Sequence, residues 1–204
     1  MIQTKPPFFG DAEPAWSIAE LYPPQGEWTE EEYLALETNR LVEYSHGKVE
    51  VLEMPTQGHQ LLVVFLFELL KAHVKSAALG TVLLAPLPIQ LWPGKYREPD
   101  VFFIRREHDD RRFDRHWLGA DLVMEVISPG DRKRDEVDKR REYAQAAIPE
   151  YWLIDPEHRT VTVLTLDGRR YAEHGVFGEG DHAPSLLLPG FTVDVTALFA
   201  EAQA

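Results

Sequence analysis

Two acidic residues fall where strand interiors are ordinarily apolar. Asp100 opens the run Val101–Ile104, and Glu125 lies inside Leu122–Ile127. An unpaired ionised carboxylate is costly to bury there, so Glu125 calls for a cation or for an edge strand that turns it to water. The cation is either a structural Arg or Lys, or a divalent metal, since carboxylates on neighbouring strands offer the hard oxygen ligands that Mg²⁺ prefers. Downstream, Asp135, Lys139 and Tyr143 are spaced i, i+4 and i+8, which puts them on one stripe of a helix, with Val137, Ala144 and Ile148 roughly opposite. That stripe is either a solvated face with an i,i+4 ion pair, or it aims Lys139 at the carboxylates. In the second case an ammonium there would orient an attacking water and stabilise charge developing on a phosphate. Glu43 and His59 complete the polar set, although isolated residues of these types are ordinarily structural.

The elements that must carry these residues follow from the patterning. Thr29-Glu30-Glu31-Glu32 is a capping box and opens a short helix through Leu36. Leu41–Tyr44 and Val49–Met54 form a hairpin around Ser45-His46-Gly47-Lys48. Gly58–Gly80 reads as a long helix, apolar nearly all round and therefore central in the packing. Strands are expected at Thr81–Ala85, Leu87–Leu91 and Pro99–Ile104, with Leu122–Ile127 an interior one. A charged helix from Asp131 to Ala147 then leads to a strand at Tyr151–Ile154. That strand–helix–strand order makes part of the sheet parallel. Thr160–Leu166 and Arg170–Ala172 flank Asp167-Gly168 as a further hairpin. The class is α/β with a mixed sheet flanked by helices and a C-terminal β extension, in a single domain over residues 29–204. Residues 1–28, rich in Pro and aromatics, read as an extended N-terminal arm that docks on it.

The chain has 204 residues, 21 Lys+Arg against 34 Asp+Glu and a formal charge of −13. Such a balance opposes nucleic acid, whose binding rests on Lys and Arg against phosphate. The charge is uneven, however. Residues 1–60 hold 11 acidic and 3 basic residues and residues 155–204 hold 8 and 3, while residues 61–154 hold 15 of each. The middle stretch includes the clusters Arg105 to Arg115 and Arg132 to Arg141. These are a solvated face interleaved with acids or a nucleic-acid contact, and Arg132, Arg134 and Arg140 are the candidate DNA contacts.

With no cysteine, disulfides, thiolate metal sites and cysteine nucleophiles are excluded. There is no HExxH, GxSxG, GxGxxG or GxxxxGK[ST] pattern, so zinc-protease, serine-hydrolase, dinucleotide and P-loop chemistry are unsupported. The most apolar stretch, Leu61–Phe67, falls far short of the roughly 20 residues that span a bilayer. No secretory signal pattern opens the chain, and a cytoplasmic location is the expectation.

Taken in order, Glu43-Tyr44-Ser45-His46-Gly47, Met54-Pro55 with Gly58-His59-Gln60, Glu98-Pro99-Asp100-Val101, Asp121 through Pro129, then Asp135, Lys139, Tyr143 and Glu150 through Asp155 resemble the Uma2 family. That family is a group of restriction-type endonucleases, once a domain of unknown function, within the PD-(D/E)XK nuclease superfamily. The resemblance spans residues 28–195 and implies a restriction-endonuclease-like core. It implies Asp100 and Glu125 as ligands of Mg²⁺ or Mn²⁺, Glu43 as an additional acidic residue, His59 as a neighbour, and Asp135 and Tyr143 as accessory residues. Two positions after Glu125, where the superfamily motif has lysine, this sequence has Ile127. The resemblance implies that Lys139, on the following helix, supplies the cation, with Lys133 as the fallback. The activity implied is metal-dependent hydrolysis of DNA phosphodiester bonds. Two other readings compete: a catalytically silent nuclease fold that binds DNA or a protein partner, and a structural homodimer built on the arm and the long helix.

Overall fold

The computed structural model describes residues 22–202 apart from 39, 129 and 131. Most of the arm, residues 1–21, lies outside the described residues. The element order is α1 (Glu30–Leu34), β1 (Val42–Ser45), β2 (Lys48–Val51), α2 (Gln57–Ser76), β3 (Gly80–Leu84), β4 (Ile89–Trp92), β5 (Lys95–Arg97) and β6 (Val101–Arg105). A 3₁₀ turn (Arg106–Arg111) leads to β7 (Trp117–Leu118) and β8 (Leu122–Val126). A π-helical turn (Arg134–Lys139) runs into α3 (Arg140–Gln145), followed by β9 (Glu150–Asp155), β10 (Thr160–Asp167), β11 (Arg170–Phe177), β12 (His182–Pro184), β13 (Thr192–Asp194) and α4 (Val195–Glu201).

The central sheet has six strands in the order β11-β10-β9-β8-β6-β3. Only β8 and β9 run parallel in it, joined by the segment that carries the π turn and α3. Alternation along β8 divides the sheet's two faces. Leu122, Met124 and Val126 join the core under α2 and α4, while Val123 and Ile127 join the core under α3 with Tyr143, Ile148 and Tyr151. Glu125 shares the parity of Val123 and Ile127, so the strand directs it to the α3 side.

A second sheet, β2-β1-β5-β4-β7, brings Glu43 and Arg97 to the edge of this α3 side. It rests on Trp28, Tyr33, Val42, Tyr44 and Tyr96. The start of the chain's described part closes its turn, where Gly26 N–H donates to Gly47 O at 2.7 Å and Trp28 N–H to the same oxygen at 3.1 Å. Gly47 is required there. Its φ is +82°, and a Cβ would stand 2.5 Å from Gly26 O.

Several expectations shift in detail. The capping box forms, with Thr29 Oγ1 accepting from Glu32 N–H at 3.2 Å and Glu32 accepting from Thr29 N–H at 2.8 Å. Helix α2 buries only the stripe Leu62, Val63, Leu66, Leu70 and Val74, and leaves Val64 and Leu69 exposed. It is an amphipathic cover over one sheet face, not a helix packed all round. The strand expected at Leu87–Leu91 is Ile89–Trp92, because Pro86 and Pro88 lack the N–H a ladder needs. The short charged strand Lys95–Arg97 has no apolar signature and was not anticipated.

Glu150 ties the C-terminal segment to β9. Its buried carboxylate accepts from Trp152 Nε1 at 2.8 Å, Ser185 Oγ at 2.7 Å, Leu186 N at 2.8 Å and Leu187 N at 2.9 Å. Glu150→Ala deprives these four donors of their acceptor. The expected loss is about 3 kcal/mol, the scale for buried donors losing a charged partner. Urea unfolding at unchanged slope measures it, and a loss below about 0.5 kcal/mol, ordinary for surface changes, would refute the assignment.

Candidate active site

The register of β6 against β8 pairs Val101 with Met124 and Phe102 with Val123. Continuing it by one pair sets Asp100 opposite Glu125. Directly opposed residues of an antiparallel pair have Cβ atoms about 5 Å apart, and like charges in that position repel. Asp100 is anchored there, with Oδ2 accepting from Val126 N–H at 2.8 Å. Its Oδ1 stands 3.1 Å from His59 Nε2, on the first turn of α2. Burial disfavours the imidazolium, yet Asp100, with Glu125 and Asp135 behind it, holds His59 above the usual histidine range.

Glu125 is 2% exposed. Tyr143 O–H donates to Oε1 at 2.6 Å, and Lys139 Nζ lies 2.9 Å from Oε2. The same ammonium lies 3.0 Å from Asp135 Oδ1. The stripe Asp135, Lys139 and Tyr143 is thus the buried side of the segment, and Val137, expected in its apolar line, is 52% exposed. Two carboxylates therefore share one buried ammonium. Burial pushes Glu125 up to about 8, Asp100 and Asp135 adding to the shift and Lys139 opposing it. Burial raises Asp135 likewise, again against Lys139. Burial also disfavours the charged lysine, but Glu125, Asp135, Glu43 and Asp100 hold it well above the usual range.

Glu43 carries the opposite balance. Burial would raise it, but Arg97, Lys139 and Arg134 bring it down to about 2. Its Oε2 accepts from both Arg97 Nη1 and Arg134 Nη2, and Oε1 from Glu98 N–H at 3.2 Å. Arg97 also donates through Nε to Glu142 Oε2 at 2.7 Å, and Lys95 Nζ lies 3.0 Å from Glu142 Oε1. This buried relay of Glu43, Arg97, Glu142 and Lys95 was missed in the sequence. Its one trace is the alternation of Lys95, Arg97 and Glu43 with tyrosines on strands too short to score.

Asp100, Glu125, Asp135, Lys139, His59 and Arg134 line one cavity of about 50 Å³. A liquid water occupies about 30 Å³, so the cavity admits an ion and a water, not a nucleotide. It shares Glu53, Pro55, His59 and Ser128 with a larger groove of about 320 Å³. The lining offers hard oxygens of Asp100, Glu125 and Asp135, the donor type that Mg²⁺ or Mn²⁺ takes.

The other expected residues are placed differently. Arg132 donates to Asp155 at 2.6 and 3.1 Å, to Glu136 at 2.9 Å and to Glu157 at 2.8 Å. It sits on the trio Asp155, Glu157 and His158, whose ligand atoms lie within 4.8 Å of one another, a clustering that adjacent sequence positions had signalled without notice. Arg134 is committed to Glu43 and Glu50, with Nε buried and unpartnered. Arg140 makes a 3.4 Å contact to Tyr171 O. Lys133 is exposed and Ile127 is buried in the core under α3.

A mixed sheet flanked by helices, with β8 and β9 parallel at its centre, is a restriction-endonuclease-like α/β fold. Residues 30–196 match the Uma2 family, described as "Putative restriction endonuclease". The chain belongs to the Uma2 family. Its fold is that of a solved putative nuclease of the DUF820 group from Anabaena variabilis, with a TM-score of 0.71 and 21% identity, covering 86% of this chain and 99% of that one. No curated protein matches the chain.

Proposed function

We propose that the protein is a metal-dependent endonuclease that hydrolyses DNA phosphodiester bonds, with Asp100 and Glu125 holding Mg²⁺ or Mn²⁺. The observation that carries this reading is the convergence of Asp100, just before β6, and Glu125, on β8, in one cavity, with Lys139 Nζ 2.9 Å from Glu125. A divalent ion at these oxygens supplies charge stabilisation at the scissile phosphate and a hydrolytic nucleophile at neutral pH. Lys139 has three N–H donors, two of them spent on Glu125 and Asp135, and the third orients the attacking water. Tyr143 fixes the Glu125 rotamer, and Asp135 fixes Lys139. Glu43 acts at one remove by holding Arg134 in the cavity wall. His59 is an accessory group at Asp100, either as a further ligand or as a proton carrier to the leaving oxygen.

No described helix is long and apolar enough to cross a membrane, and this reading places the enzyme in the cytoplasm with its substrate.

Supercoiled, linear duplex and single-stranded DNA incubated with the protein are expected to be cut in Mg²⁺ or Mn²⁺ and spared in EDTA, with Mn²⁺ binding registered as heat. A silent nuclease-fold module is the competing reading, favoured by Ile127 at the motif position and by the enclosure of Lys139. Mn²⁺ heat and DNA binding with no cleavage of any substrate would replace the first reading by the second.

A further inference from the structure

On the solvent side of the segment that bears Lys139, a groove of about 490 Å³ is lined by Arg140, Arg141, Arg169 and Arg170, with Glu136, Val137 and Ala144 among the rest. The four arginines come from two places in the sequence. Arg140 and Arg141 open α3, while Arg169 and Arg170 form the end of the β10–β11 turn around Gly168, whose φ is +61°. The last two are two of only three basic residues in the acidic stretch 155–204. Packing of α3 against β11 gathers all four.

Their state differs from that of the arginines around the catalytic cavity. Arg97, Arg132 and Arg134 are each fixed by carboxylates within hydrogen-bond distance. Among the described residues, Arg169 and Arg170 have no carboxylate within 4.0 Å, Arg140 reaches only the Tyr171 carbonyl, and Arg141 is 3.7 Å from Asp138. The acids nearby are few. Glu136 already accepts from Arg132, and Asp167 faces Arg170 across the turn. Four guanidiniums over an exposed Val137, in a chain of charge −13, repel one another to no structural end. Planar forks in that array match phosphate oxygens bidentately.

We infer that this groove is a second nucleic-acid contact, seating the phosphodiester backbone of the substrate at a distance from the catalytic cavity. The inference rests on the nuclease reading for the identity of its polyanion. It transfers phosphate binding from Arg132 and Arg134, which are spent internally, to arginines whose forks are open. The occupant is a backbone, since the buried hydroxyl in the lining, that of Tyr171, is spent on Ile148 O at 2.7 Å and the guanidiniums are left to meet phosphate.

The test uses the full chain with Ca²⁺, a fluorescein-labelled 30-base-pair duplex and anisotropy across a salt series. R169E/R170E is compared with K71E/K75E, an equal charge change on the exposed side of α2. The arginine pair is expected to weaken binding about tenfold or more and to lower the slope of log K against log salt by about 2, close to 0.9 per lost phosphate contact. The lysine pair is expected to cost about twofold or less, and both variants should give the wild-type heat with Mn²⁺. Equal losses in the two pairs, or an unchanged slope in R169E/R170E, would overturn the groove. Cleavage separates the two ideas: wild type that cuts DNA with an unchanged slope in the variant discards the groove alone. Wild type that cuts no DNA of any form discards the nuclease reading and with it the groove's occupant, and capture of polyglutamate in preference to the duplex discards the groove alone.

Discussion

Asp100→Asn and Glu125→Gln are each expected to abolish metal-dependent DNA cleavage and the heat of Mn²⁺ binding, while without metal Asp100→Asn becomes no less stable and Glu125→Gln loses stability through the ion pair it no longer makes with Lys139. Asp100, just before β6, and Glu125, on β8, line one buried cavity where like charges repel, and on the proposed reading a divalent cation would make their proximity favourable. Neutralising either one relieves the repulsion and removes a ligand. Asp100→Asn keeps its anchor, since the new side-chain carbonyl still accepts from Val126 N–H, whereas Glu125→Gln keeps the bond from Tyr143 O–H but gives up the ion pair with Lys139, whose ammonium is left to Asp135. Loss of outer-shell partners alone costs metal sites about 10–100-fold, so loss of a ligand should exceed about 100-fold in rate. Thermal unfolding supplies a second readout. Metal at 100 times its dissociation constant stabilises wild type by about 2.7 kcal/mol, and neither variant should show that gain. Undiminished cleavage by both variants would remove Asp100 and Glu125 from the site.

The parts of this centre visible in the sequence are those that violate a local rule. A carboxylate in the middle of Leu122–Ile127 is conspicuous because a strand buried on both faces has no room for it unpaired, and the helical spacing of Asp135, Lys139 and Tyr143 is short-range. The partners of Glu43 are a different matter. Arg97 and Arg134 stand 54 and 91 residues away from it, and nothing in the patterning of a three-residue charged strand announces the encounter. Clusters of basic residues mislead for the same reason. Arg132 and Arg134 look available along the chain, but folding gives them to Asp155, Glu157, Glu43 and Glu50, whereas Arg169 and Arg170, hidden in an acidic stretch, keep their charge facing outward. Helix α2 shows the limit of composition. Its apolar residues exceed what one face needs, and only packing decides that Val64 and Leu69 are left in water.

Ile127 clarifies why lysine enters from the helix. A residue two positions after Glu125 shares its face, and that place is filled by apolar contacts under α3. The parallel crossover from β8 to β9 must return over the same face, so the segment from Arg134 to Gln145 passes above Glu125 and can lower a long side chain onto it. The π turn, a form often found at functional sites, brings both Asp135 and Lys139 inward.

Lys139→Met is accordingly the substitution with the largest combined effect. Lys139 is 5% exposed and bridges Glu125 and Asp135, so a methionine of similar length fills the space but leaves two buried carboxylates facing each other without a cation. Removing one partner of a buried ion pair costs about 3–5 kcal/mol, and here the stranded charge is double. Part of that loss is recoverable by protonation, since burial already pushes Glu125 up, so the variant should be relatively more stable on the acid side of neutrality than wild type is. The sign follows from a raised carboxylate: its contribution is fully present below the ordinary carboxylate range and is lost as pH rises from there through its raised folded value, which in this variant no longer has Lys139 to lower it. Mn²⁺ supplies a discriminating measurement. If Lys139 and the metal share one carboxylate cluster, Mn²⁺ raises the unfolding midpoint of Lys139→Met by more than it raises that of wild type, yet cleavage stays depressed by about 100-fold or more because the donor to the attacking water is gone. Lys139→Arg separates charge from position: it restores most of the stability and little of the rate, because a planar fork does not present a single donor at the point where the ammonium stands. Equal midpoint gains in wild type and Lys139→Met would show that the lysine and the metal occupy separate sites, and wild-type cleavage by Lys139→Met would make its ammonium structural alone.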